Sequence, residues 1–161
     1  MESRQNERGL ALLRMIYGAW LLRGAFLYVV WHPWPWISKL GVMGGAEVLA
    51  GHALRHPLGG VRSMVQQFLL PHPELYTGSL LVLGLIAGVS LTFGLLTIPG
   101  ALLAVILLLH DVFIGYYQAE PHPTLLVFRG AVLLVVMLTR AGRFWGVDAL
   151  LARGSPRSWL W

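Results

Sequence analysis

The 161-residue chain contains no cysteine. That excludes disulfides, thiol redox couples, Cys-ligated iron–sulfur clusters and Cys-bound zinc. Charge is scarce as well: charged residues make up only 12%, about half the share usual in soluble domains. Lysine is all but missing, with Lys39 alone beside 11 arginines and seven acids. What fills the space is apolar: 57% of residues are hydrophobic and the mean hydropathy is +0.67. This composition excludes a disordered or coiled-coil protein and predicts an integral membrane protein of one domain covering residues 1–161. In such a chain a net charge of +5 sets topology, and no nucleic-acid partner is expected. Any redox role must use a bound organic cofactor or a partner subunit.

A spanning helix needs about 20 mostly apolar residues. The first candidate is 10–31, interrupted by Arg14 and Arg23. The charge-free stretch 76–109 is too long for one span and contains Pro99-Gly100, a stop and turn signal. It predicts spans at 76–96 and 100–118, followed after Pro121-His122-Pro123 by a span at 124–140. The expected fold is therefore an all-α bundle of four transmembrane helices. The N-terminus lacks the features of a cleavable signal peptide. Arg4 and Arg8 lie in the N-terminal tail and Arg143, Arg153 and Arg157 beside Arg140 in the C-terminal one, while the loop between the third and fourth spans has none, which predicts a multi-pass protein of the cell membrane with both termini cytoplasmic.

The first loop, 32–74, is too long for a mere connection. Trp31, Trp34 and Trp36 suit an aromatic belt at the outer interface. Val61, Met64, Val65, Phe68 and Leu69 recur at helical spacing, opposite Arg62, Ser63, Gln66 and Gln67. That pattern predicts an amphipathic helix near 60–70, and a second helix is expected over 37–53.

Ionisable groups inside spans are expensive and are functional candidates. Arg23 lies eight residues before the end of the first span, Asp111 seven before the end of the third, and Arg129 five after the start of the fourth. At 1.5 Å per residue, all three fall in one layer, roughly 8–12 Å below the outer helix ends. Gly100, Ala104, Asp111, Gly115 and Gln118 share one stripe, which turns Asp111 into the bundle. His110 is rotated by about 100° and reaches the edge of the site. Arg14 lies on the other side of its helix, near the opposite end, where it can snorkel.

Two readings of this layer stand side by side. It is either an ion-pair network that locks the helices together or a binding layer, whose surplus of arginine suits an anion or the carbonyl of a quinone. In the second reading Arg23 and Arg129 bind substrate or quinone, and Asp111 and His110 move protons. His52 and His56, four residues apart, have the spacing of a metal pair, but no third ligand stands near them, so a solvated face is the better reading and no metal is expected. Only His110 lies inside a span, so b-type haem is not expected. Gly84 and Gly88 form a GxxxG match that reads as close packing. Trp145, Trp159 and Trp161 read as interface anchors.

The segment Ala141-Gly-Arg-Phe-Trp-Gly-Val-Asp-Ala-Leu-Leu151 resembles the closing motif of the DoxX/DoxD family of four-helix membrane proteins. Leu13-Arg14, Gly18 and Gly24 in the first helix, and Ala87-Gly88, Leu91, Gly94-Leu95 and Thr97 in the second, are similar to that family's patterns. Gly84 and Leu27 stand where the family often carries Glu and Lys. The resemblance implies the membrane subunit of a thiosulfate:quinone oxidoreductase-like complex, with quinone as substrate or bound cofactor. It also implies partners: membrane lipid, and a small DoxA-like second subunit or a larger respiratory complex. The alternative is a non-catalytic accessory or assembly subunit of such a complex.

Overall fold

The computed structural model describes residues 2–31, 55–115, 123–139, 141–143 and 145–154. Six helices account for most of them. They are α1 (Glu2–Trp31), α2 (Gly59–Met64), α3 (Pro73–Phe93), α4 (Thr97–His110), α5 (Pro123–Leu138) and α6 (Val147–Gly154). α2 runs on into a wide π turn at Val65–Leu69, and α4 into another at Asp111–Gly115. A short 3₁₀ turn, Ala141–Arg143, joins α5 to the approach of α6.

The helices pack in sequence, α1 against α3, α3 against α4 and α4 against α5, and α1 closes the group on α5. Each contributes a narrow stripe of small or branched residues at helical spacing. Tyr17 of α1 meets Ala87 and Leu91 of α3, Ala101 and Ala104 of α4, and Val132, Leu133 and Val136 of α5, and Ala11 and Ala25 of α1 are buried as well. Small residues set the closest approach. A side chain at Gly18 would run into the backbone of Leu91 and Thr92, and one at Gly88 into Leu22. α1 and α3 therefore touch almost backbone to backbone.

The expected four-helix order is present, but the membrane-spanning reading is corrected. Among the described residues, no helix is long and apolar enough to cross a membrane. α4 and α5 have 14 and 16 residues, about 21 and 24 Å of helix against roughly 30 Å of hydrocarbon. α3 has 21 residues, but Pro73, Glu74 and the run Thr77-Gly78-Ser79 occupy its first turns. Arg14 and Arg23 cut the apolar part of α1. The spans at 10–31, 76–96, 100–118 and 124–140, and with them the multi-pass placement in the cell membrane with cytoplasmic termini, are not supported. High apolar content does not by itself mark spans, because no described helix holds enough apolar residues in a row; part of it faces outward, at Ile16, Phe26, Val127, Phe128 and Leu138.

The turn between α3 and α4 also moves. It falls at Gly94–Leu96, ahead of Pro99-Gly100, and Pro99 sits inside the first turn of α4. Proline is tolerated there because the first amides of a helix have no intrahelical acceptor to lose. Gly94 has φ +63 and ends α3 in the left-handed conformation. The Ser90 hydroxyl donates to the carbonyls of Leu95 and Leu96, closing the turn.

This turn meets a buried polar node. Arg14, expected to snorkel, is fully buried and donates to the carbonyl of Ala141 at 2.9 Å and of Trp145 at 3.1 Å. Asp148 is fully buried too; it accepts from the amides of Leu96 at 2.6 Å and Thr97 at 2.8 Å. Its own amide returns a bond of 2.8 Å to the Gly94 carbonyl. Burial lowers the pKa of Arg14, and the Asp148 charge offsets part of that shift. The closing segment is thus the part that Arg14 ties to the bundle.

The amphipathic helix near 60–70 forms, with a changed face. Val65 is fully buried against Val61, Leu69, Leu70 and Tyr76, whereas Phe68 is 68% exposed. A π turn takes more residues per revolution than an α turn, so Phe68 is carried off the buried side. The helix expected over 37–53, and Trp34, Trp36, His52, Trp159 and Trp161, lie outside the described residues.

Candidate functional site

At the end of the bundle opposite the Arg14 node, four helices bring polar side chains together. The α4 backbone widens into its π turn at Asp111, which aims the carboxylate at α5. Arg129 donates from Nη1 to Asp111 Oδ2 at 3.0 Å. The Arg129 guanidinium also lies 4.1 Å from the ring centroid of Trp20 on α1, a cation–π contact. Trp20 in turn is tilted against Tyr17, with ring centroids 6.0 Å apart.

On its other side Asp111 meets His110, with Nδ1 at 3.3 Å from Oδ1. His110 Nε2 is hydrogen-bonded to the hydroxyl of Tyr76, at the start of α3. An ionised carboxylate only accepts, so neutral His110 carries its proton on Nδ1 and Nε2 accepts from the phenol. Burial, reinforced by the Asp111 charge, pushes the Tyr76 phenol up to about 12, which keeps it a donor. Tyr17 is raised as well: burial is the main cause, Arg129 opposes it and Asp111 adds to it. The result is a single hydrogen-bonded series from Tyr76 through His110 and Asp111 to Arg129.

Of the four residues singled out in the sequence, three meet here. Arg23 does not join them: it is exposed on α1, and the ion-pair partners of Asp111 among the described residues are His110 and Arg129. Helical spacing gave the correct depth for Arg23 but not the correct side. Sequence reasoning missed Trp20, Tyr17 and Tyr76. Trp20 lies three residues before Arg23, and Tyr76 lies at the start of α3 at the same end as His110, so depth alone would have placed both in the layer.

Beside the series lies a cleft of about 200 Å³ between α1 and α5. Leu13, Ile16, Tyr17, Trp20, Phe128 and Val132 form most of its wall, and Arg129 is its one charged lining residue. Because Asp111 already neutralises Arg129, the cleft offers hydrogen-bond donors without net positive charge. It suits a flat, neutral, largely apolar molecule with an acceptor oxygen at one end. It does not suit a pair of dianions.

His56 is buried, and its Nδ1 accepts from the Leu58 amide at 3.1 Å. Among the described residues no group of three His, Cys, Asp or Glu side chains is placed to hold a metal ion. Searches found no family model, no curated protein and no solved structure that matches the chain.

Proposed function

We propose that the α1–α5 cleft binds the ring of a quinone and that the chain is the quinone-reducing component of an oxidoreductase similar to the DoxX/DoxD proteins. The observation that carries this reading is Arg129, held between the Asp111 carboxylate and the Trp20 ring while lining an apolar cleft. A guanidinium fixed on two sides is preorganised, and its remaining N–H groups can meet a quinone carbonyl without a conformational cost. Negative charge grows on that oxygen during reduction, so these donors bind the reduced form more strongly than the oxidised one. Asp111 and His110 stand behind Arg129, outside the cleft lining, and hold the guanidinium in place for the ring.

For thiosulfate as reductant the balance is two thiosulfates, one quinone and two protons giving tetrathionate and quinol. The paired charge of Arg129 and Asp111 favours neutral ligands over anions, so the sulfur anion is oxidised on a partner subunit and this chain receives the electrons. The outward apolar side chains, Val127 and Phe128 beside the cleft among them, supply surface for such a partner. They equally support the second reading, an accessory subunit of a larger oxidoreductase complex whose charges are scaffolding.

Quinone binding is read by the quenching of tryptophan fluorescence with menadione, using Trp20→Phe to assign the signal. Saturable quenching that disappears in Arg129→Gln, with an unchanged melting temperature, supports the quinone reading. Absence of binding to the native chain overturns it and leaves the accessory role.

A further inference from the structure

Tyr76, His110, Asp111 and Arg129 form one hydrogen-bonded series whose imidazole can carry one proton or two. We propose that His110, acting through Asp111, sets how well the cleft accepts an anionic ligand: protonation of His110 favours anionic rings, while neutral rings bind in either state. For the identity of the ligand this rests on the quinone reading; the electrostatic coupling itself does not.

The argument starts from hydrogen-bond polarity. Neutral His110 donates from Nδ1 to Asp111 Oδ1 and accepts at Nε2 from Tyr76. A proton taken up at Nε2 turns that atom into a donor, and the phenol, which has lone pairs to offer, rotates to accept. Nothing else in the series has to move. Asp111 then faces two cations, one on each oxygen: His110 at Oδ1 and Arg129 at Oδ2. The net charge of the three groups rises from zero to plus one, and the share of the Asp111 charge left to neutralise Arg129 falls.

The surroundings do not cancel this change. Among the described residues, the charged or titratable groups joined to His110 in this series are Tyr76 from α3, Asp111 beside it on α4 and, through Asp111, Arg129 from α5. Tyr17 on α1 senses both Arg129 and Asp111 but stays protonated, since burial raises it. Arg23 is exposed on α1 and stands apart from the series. His110 is 20% exposed and Arg129 16%, while the Asp111 side chain between them is 46% exposed, so water screens part of their coupling. His110 does not line the cleft, and is a positioning residue.

The test compares a neutral and an anionic naphthoquinone, menadione and naphthoquinone sulfonate, binding to the full chain between about pH 7.5 and about pH 5.5, where an imidazole titrates. Affinity for the sulfonate is expected to rise roughly fivefold on acidification, the scale of one added charge in a partly screened site. Menadione affinity should stay level. His110→Gln, which keeps hydrogen-bonding groups but no titratable one, should show a flat profile for both. An equal pH slope in His110→Gln, or equal slopes for the two quinones, overturns the proposal. If neither quinone binds, the quinone reading fails, and the coupling is read in the free protein by NMR. Arg129 side-chain resonances should then follow the His110 titration in the native chain and not in His110→Gln. Arg129 signals that stay fixed while His110 titrates overturn it.

Discussion

Arg14 and Asp148 hold opposite sides of one joint. The guanidinium binds two carbonyls of the closing segment, at Ala141 and Trp145, and the carboxylate binds two amides of the α3–α4 turn, at Leu96 and Thr97. Each charge thus satisfies backbone groups that have no helical partner, and each approaches the other's element. Unpaired backbone groups in a buried site cost as much as lost hydrogen bonds. The joint is therefore a stability determinant, distinct from the cleft at the other end.

Arg14→Met should destabilise the protein by about 3–5 kcal/mol, because it strands two carbonyls and the Asp148 charge in the interior. Asp148→Asn should cost about as much, since one face of the new amide presents N–H groups to N–H groups. The double variant should cost less than the sum, as expected for side chains that share one network. Chemical denaturation of the three variants measures this; strict additivity would show that the two residues act separately.

Gly84 and Gly88 look alike in the sequence and should respond oppositely. Gly88→Ala puts a methyl into Leu22 at about van der Waals overlap, with Leu22 Cγ 2.8 Å away, and should cost about 1–3 kcal/mol. Nothing lies within 4 Å of a methyl at Gly84, so Gly84→Ala should be neutral or stabilise by up to about 1 kcal/mol through helix propensity. Thermal melting of the pair decides it.

The alkaline limb of stability should depend on Tyr76. Its pKa is about 12 in the folded chain against 10.0 for a free phenol, so the folded state binds the proton more tightly. The resulting stabilisation is fully present below about pH 10 and is lost as pH rises through about 12. Tyr76→Phe should flatten the fall in melting temperature across that interval while keeping the ring packed on Val65. An unchanged alkaline limb would place the phenol outside this linkage.

Arg129→Lys keeps the charge but gives up the flat contact with Trp20 and the forked geometry. Menadione affinity should fall roughly tenfold, about 1.4 kcal/mol, with the melting temperature little changed. Arg23→Gln should leave both unaltered, since Arg23 stands apart on an exposed face. Loss of binding in Arg23→Gln would return it to the site.

Spacing along the chain made part of this site readable. Counting residues from the helix ends brought Asp111 and Arg129 to one depth, and they pair. The same count admitted Arg23, because depth carries no information on which way a side chain turns once helices have packed. Arg14 was set aside as a residue at the bundle's edge; its acceptors are backbone carbonyls of a turn, and carbonyls leave no mark in a sequence. Pro99-Gly100 puts the turn three residues too late, since proline reads as a stop whether it ends one helix or begins the next. Phe68 fell on the wrong face because the α period fails inside a π turn. The apolar content suggested spans, but composition counts such residues without saying whether they are buried, or whether one helix holds enough of them in a row.

The joint between Arg14 and the closing segment also imposes an order in time. During synthesis the guanidinium leaves the ribosome early, while Ala141 and Trp145 are still far from being made. Until they arrive, α1 carries a charge that the core cannot accept without its acceptors, so α1, α3 and α4 have reason to stay hydrated and loosely associated. The first helix therefore closes only once Ala141 and Trp145, 127 and 131 residues further on, have been made.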